Sequence, residues 1–140
     1  MTFSADLTAY INRTNRRASE VQRAVALQLT SSVITRTPVD TGRLRGNTNV
    51  EIGRADGSTS ASRTEQQALS AGRAKIAEFD PGDVLFITNA MPYMRKIEYG
   101  QYGSGPKTVN GYSRQAPQGV FRVTAEEFAQ AVRRAARNVR

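Results

Sequence analysis

The sequence predicts a mixed α+β fold on three observations. An apolar stripe of helical period runs to Arg36, two short extended apolar runs follow in the middle, and a second helical stripe closes the chain. The elements follow in order. From Asp6 to about Arg36, Leu7, Ile11, Ala18, Val21, Val25, Leu29 and Val33 recur three, four or seven residues apart, so one face of a single long helix is apolar. Ser4 or Asp6 supplies a cap for its start. Arg13, Arg16, Arg17, Glu20 and Arg23 face solvent or a partner. At 1.5 Å per residue such a helix is roughly 45 Å long, more than a globule of this size needs, so part of it is expected to pack on another subunit. Thr14, Gln28 and Ser32 interrupt the heptad and argue against a coiled coil.

Pro38 ends the helix and pushes Thr37 toward extended geometry. In the turn after it, Asp40 is expected to hydrogen-bond the backbone two residues on, and Gly42 to take positive φ. Leu44 to Ile52 reads as extended, with Val50 and Ile52 alternating with polar residues, and Gly53 to Arg63 as a polar, flexible loop. Thr64-Glu65-Gln66-Gln67 is a capping box opening a helix to about Phe79, and Asp80-Pro81-Gly82-Asp83 is a turn. Val84 to Thr88 is apolar enough for a central, buried strand. Met94 to Gly100 is a short helix stopped by its glycine. Gln101 to Gly119, with Gly103, Gly105, Pro106, Gly111 and Pro117, is a long loop or mobile hairpin, flexible over 101–113. A second capping box, Thr124 to Glu127, starts a C-terminal helix with Phe128, Val132, Ala135 and Val139 on its apolar face and Arg133, Arg134, Arg137 and Arg140 toward its end.

The composition narrows function by exclusion. With 140 residues and 39 % hydrophobic content, the chain is expected to be one domain with a modest core. No run of 18 apolar residues is present. The opening MTFSADLTAY lacks a charged-then-apolar leader pattern, so cytosolic synthesis is expected. Cysteine and histidine are both absent, which removes thiolate chemistry, imidazole bases and nearly all transition-metal sites. The acids are scattered. Only Glu78, Asp80 and Asp83 approach a cluster, and they surround a Pro-Gly turn. The composition argues against an enzyme. The net charge of +8 comes mostly from arginine, which suits phosphate contact and protein interfaces alike.

Each motif has a plain alternative. Asp40-Thr41-Gly42 is the triplet of aspartic proteases, but Arg43 beside it favours a charged Asp40, whereas that dyad keeps one acid neutral. Gly100 to Thr108 resembles a phosphate loop with one residue too many, and Pro106 stands where an amide should point at phosphate. Tyr93, Tyr99, Tyr102 and Tyr112 could stack bases, but Tyr93 and Tyr99 flank a helix and are expected in the core or an interface. The terminal arginines read as a solvated helix face.

Pro38-Val39-Asp40-Thr41-Gly42-Arg43-Leu44-Arg45 follows the long helix. Later come Asn89-Ala90-Met91-Pro92-Tyr93, Ile97-Glu98-Tyr99-Gly100, and Gln115-Ala116-Pro117-Gln118-Gly119-Val120-Phe121-Arg122. In this order the strings resemble the tail-completion or neck (head–tail joining) proteins of long-tailed bacteriophages, over most of residues 20 to 135. The resemblance implies an α+β fold with the long N-terminal helix and the C-terminal helix packed on a small antiparallel sheet. It also implies a structural virion protein, assembled in the host bacterial cytoplasm, whose ring of identical subunits (a hexamer) joins the DNA-filled head to the tail tube. The implied partners are further copies and other neck, head-completion and tail-tube proteins, with packaged DNA a candidate contact, no membrane and no cofactor. The candidate turn and interface residues are Asp40, Thr41, Gly42, Arg43, Arg45, Tyr93, Glu98, Tyr99 and Gly100, with Arg43 expected to bond Glu98 or Asp40. Lys107, Tyr112 and Arg114 are the candidate partner contacts on the loop. The alternative is a stand-alone basic nucleic-acid-binding protein.

Overall fold

The computed structural model describes residues 3–139, with side chains from Leu7 to Val139. Ser4 and Asp6 as caps, and Arg140 at the last turn, lie outside the described side chains. The fold is α+β, built around one helix. Helix α1 (Phe3–Arg36) contains no glycine or proline and stops where expected: Thr37 still donates its amide and its hydroxyl to the Val33 carbonyl, and Pro38 cannot continue the ladder.

The segment after the turn differs from the sequence reading. Arg43–Gly46 forms a helical turn, α2, and only Asn49–Ile52 is extended, as strand β1. The Gly46 amide closes onto the Gly42 carbonyl, and a side chain at Gly46 would strike the Arg63 carbonyl. Local turn closure and that close approach outweigh the β pattern. Helix α3 (Glu65–Ile76) opens with the complete capping box, Thr64 accepting from the Gln67 amide and Gln67 from the Thr64 amide.

Strand β2 (Leu85–Thr88) pairs antiparallel with β1, with Val50 opposite Ile87 and Ile52 opposite Leu85. These four side chains face Ala26, Ile76 and Phe79. Among the described residues the sheet has two strands, so β2 is not central: Val84 beside it is exposed, and Phe86 points away from the core opposite Glu51. Its apolar run is covered on one face, not two.

Helix α4 (Pro92–Tyr99) ends on Gly100 at φ 64°. A short hairpin follows, β3 (Thr108–Val109) and β4 (Tyr112–Ser113), turned by Asn110 and Gly111, both at positive φ. The C-terminal segment is two helices, α5 (Phe121–Ala125) and α6 (Phe128–Asn138). Thr124 does not cap as expected. It lies inside α5 with its hydroxyl donated to Val120, and Glu127 makes no side-chain cap on α6. The apolar face also shifts, because the small Ala131 and Ala135 let α6 approach α1 at Val25 while Phe128 stays outside. Val139 lies just past the helix.

Three clusters line the C-terminal part of α1. Val25 meets α6, Ala26 meets α3 and the sheet, and Val33 meets Met94, Ile97, Ala116 and Val120. Helix α6 runs antiparallel to α1: Arg36 bonds Thr124 and Glu127, while Arg17 donates to the Ala136 carbonyl. The first described turns of α1 run past these partners, and every residue from Leu7 to Ala18 is exposed.

Candidate functional site

The turn after α1 is held by backbone-directed side chains. Gly42 sits at φ 83°, as its position required. Asp40 makes none of the expected bonds; the turn is closed by Thr41, whose hydroxyl accepts from the Arg43 amide at 3.3 Å. The arginine that engages the end of α1 is Arg45, not Arg43. Its guanidinium donates to the Thr35 and Thr37 carbonyls at 2.7 Å each and reaches Glu65 at 3.3 Å. It thereby satisfies carbonyls left open at the end of α1, where a cation is favoured.

Glu98 is engaged elsewhere. Its carboxylate accepts from the Val120 and Phe121 amides at 2.8 Å and from the Arg122 amide at 2.9 Å, at the start of α5. The expected pairing of Arg43 with Glu98 or Asp40 is therefore absent. Both oxygens of Glu98 point at amides, and Arg43 has no side-chain partner among the described residues.

What ties the turn to the later motifs is Gln115. Its carboxamide accepts from the Val39 amide at 2.8 Å and donates to the Val39 carbonyl at 3.1 Å, imitating a strand partner. This closes a cleft of about 570 Å³ between the turn, α4 and the hairpin. Asp40, Thr41, Arg43, Tyr93 and Lys107 line it together, over a floor that includes Leu44 and Ile97. The phenol of Tyr102, at its edge, is pushed above its ordinary pKa by burial and by Tyr93. Neither Arg43 nor Lys107 has an internal ion pair among the described residues, so the cleft presents two cations and the Asp40 carboxylate beside two phenols. That set suits binding of a polar or aromatic group of a partner.

The other candidates lie apart. Tyr93 and Tyr99 are 61 % and 64 % exposed, so neither is in the core; α4 turns Met94 and Ile97 inward instead. Tyr112 packs its ring over Gly100, where any side chain would collide with it. Arg114 is exposed and joins the hairpin only through its amide, which donates to the Lys107 carbonyl. No helix follows the glycines at 100–105, so the phosphate-loop geometry is not formed. Asp80 pairs with Arg23 and Asp83 receives the Asp80 amide, which makes the acidic group at 78–83 a turn. Among the described residues no group of three carboxylates is placed to hold a metal.

A buried polar network escaped the sequence reading. Asn47 and Asn49 reach over the 53–63 loop, Asn47 bonding Ser60 in both directions and Asn49 donating to the Asp56 and Ser58 carbonyls. Arg63 returns to Asn49 and to the Thr48 carbonyl. The run Gly46-Asn47-Thr48-Asn49, small and polar between Leu44 and Val50, was the available signal.

A second, larger feature is a groove of about 700 Å³ along α1. Ala18, Val21 and Val25 form its floor, Phe128 and Val132 one wall, and Leu85 and Ile87 the other. The chain was compared with family models, with curated proteins and with solved structures, and it matches none of them.

Proposed function

We propose that this chain is a structural subunit of the neck of a long-tailed bacteriophage, one of six copies in a ring that joins the DNA-filled head to the tail tube. The observation that carries the proposal is the pair of unsatisfied surfaces on α1: a bare apolar end with Leu7, Tyr10 and Ile11 exposed, and an apolar groove farther along the same helix. A closed ring needs two different, complementary patches on every subunit. A chain folding only for itself gains nothing by exposing both. The ordered strings from Pro38 to Arg122 supply the second support, through their resemblance to neck proteins. In this role the cleft under the hairpin and the unpaired Arg43 and Lys107 face neighbouring proteins of the joint, and the protein works by assembly, without catalysis.

The test is genetic and compositional. Purified tailed particles should contain the protein at a few copies each by mass spectrometry. A phage lacking it should accumulate filled heads and separate tails. Its absence from purified particles would sink the proposal.

A further inference from the structure

We infer that the bare N-terminal end of α1 from one copy seats in the apolar groove of a second copy, with Leu7, Tyr10 and Ile11 as the inserted side chains. The inference deepens the ring proposal, and its test separates the two. Along α1 Leu7, Ile11, Ala18, Val21 and Val25 share one face, with the polar Thr14 between the two parts. From Thr14 onward this face lines the groove, whereas Leu7 and Ile11 are exposed. One element thus carries both the plug and the socket.

The plug cannot enter its own socket. Helix α1 is continuous from Phe3 to Arg36, so Leu7 and Val25 of one copy stay about 27 Å apart at 1.5 Å per residue. The same geometry in another copy meets no such limit. Charge does not oppose the contact. Arg13 and Arg16 lie off the stripe, and Arg17, the cation in the groove, is turned onto the Ala136 carbonyl.

Size supports it as well. Tyr10 and Phe128 are 60 % and 55 % exposed, which leaves roughly 100 Å² of each ring bare. With Leu7 46 % and Ile11 47 % exposed beside Tyr10, the plug presents roughly 300 Å² of largely apolar side chain to a groove of about 700 Å³. One plug and one socket per copy make the contact propagate from subunit to subunit.

The absence of cysteine makes the test direct. A Leu7→Cys/Val132→Cys variant carries one thiol on the plug and one on the socket wall beside Val25. A disulfide between them forms only between copies. Oxidation of the purified full chain at high concentration should give a covalent ladder on a non-reducing gel, and Ile11→Glu in the same background should abolish it. A control pair of exposed positions away from the stripe, Arg16→Cys/Ser70→Cys, should give no ladder. Covalent dimers with nothing larger would mean reciprocal exchange; the docking would stand and the ring proposal would fall. No cross-link above the control, in a variant with unchanged circular dichroism, would overturn the docking and leave the ring proposal to its own test.

Discussion

Replacing Glu98 by alanine should be among the most damaging single changes to this fold. The carboxylate accepts three amides at the start of α5. Arg122 is exposed, so water can take over its amide. Val120 is fully buried and Phe121 half-buried, so their amides would be left without a partner. Each hydrogen bond to a charged acceptor contributes about 1.5–3 kcal/mol, and an orphaned buried donor costs about 1–3 kcal/mol. Two enclosed amides therefore put Glu98→Ala at about 3–4 kcal/mol. That is a large share of the roughly 5–15 kcal/mol that holds a domain together, and it corresponds to a fall in Tm of about 10–15 °C. Glu98→Gln keeps one acceptor oxygen but turns an NH₂ toward an amide, and should cost about 1–2 kcal/mol. Urea unfolding at neutral pH, read as a shift in midpoint at constant slope, measures both. A Glu98→Ala protein within 1 kcal/mol of the parent would refute the capping role.

Arg43→Ala should change stability by less than about 0.5 kcal/mol and add strictly to Glu98→Ala in a double-mutant cycle, because the two groups do not meet. Arg45→Lys should cost about 2 kcal/mol, since an ammonium cannot span the Thr35 and Thr37 carbonyls and Glu65 together. Gly100→Ala should lower Tm, because its Cβ would sit 2.6 Å from the Tyr112 ring at φ +64°. Replacing the exposed Gly103–Lys107 by a shorter linker should leave Tm within a few degrees, measured by differential scanning calorimetry. The Ile52 amide and Lys75 hold the Glu51 carboxyl below its usual value, and Ser58 does the same for Asp56. Both stabilise the fold as anions above the ordinary carboxylate range, and that contribution is lost as pH falls through their lowered values. Glu51→Gln and Asp56→Asn should therefore flatten the decline of the urea midpoint below about pH 4.5.

The elements most legible in the sequence were those set by local chemistry. Pro38 ending α1, the Thr64–Gln67 box, Gly42 at positive φ and Gly100 closing α4 all depend on neighbours a few residues away. The misread parts depend on distant ones. Leu44 looks like strand until Arg63 is known to lie against Gly46. Val84 to Thr88 looks central until the sheet is known to stop at two strands. Thr124 looks like a cap until Val120 and Arg36 claim its hydroxyl. In the cleft the residue types were found but not their partners. Arg45 and Gln115 hold the turn, and no local pattern distinguishes Arg45 from Arg43 or marks Gln115 as the partner of Val39.

The long reach of these contacts bears on how the chain is made. Helix α1 is synthesised first, yet the groups that complete it come last: Arg36 waits for Thr124 and Glu127, Val25 for Ala131 and Ala135, and Arg17 for the Ala136 carbonyl. Until the ribosome has delivered nearly the whole polypeptide, the side of α1 that α6 covers stays open to water, a state exposed to chaperones and to aggregation. A nonsense or frameshift lesion near residue 120 would therefore leave more than a shortened protein. It would produce a helix whose α6-facing side, around Val21, Val25 and Leu29, stays uncovered and open to unintended partners.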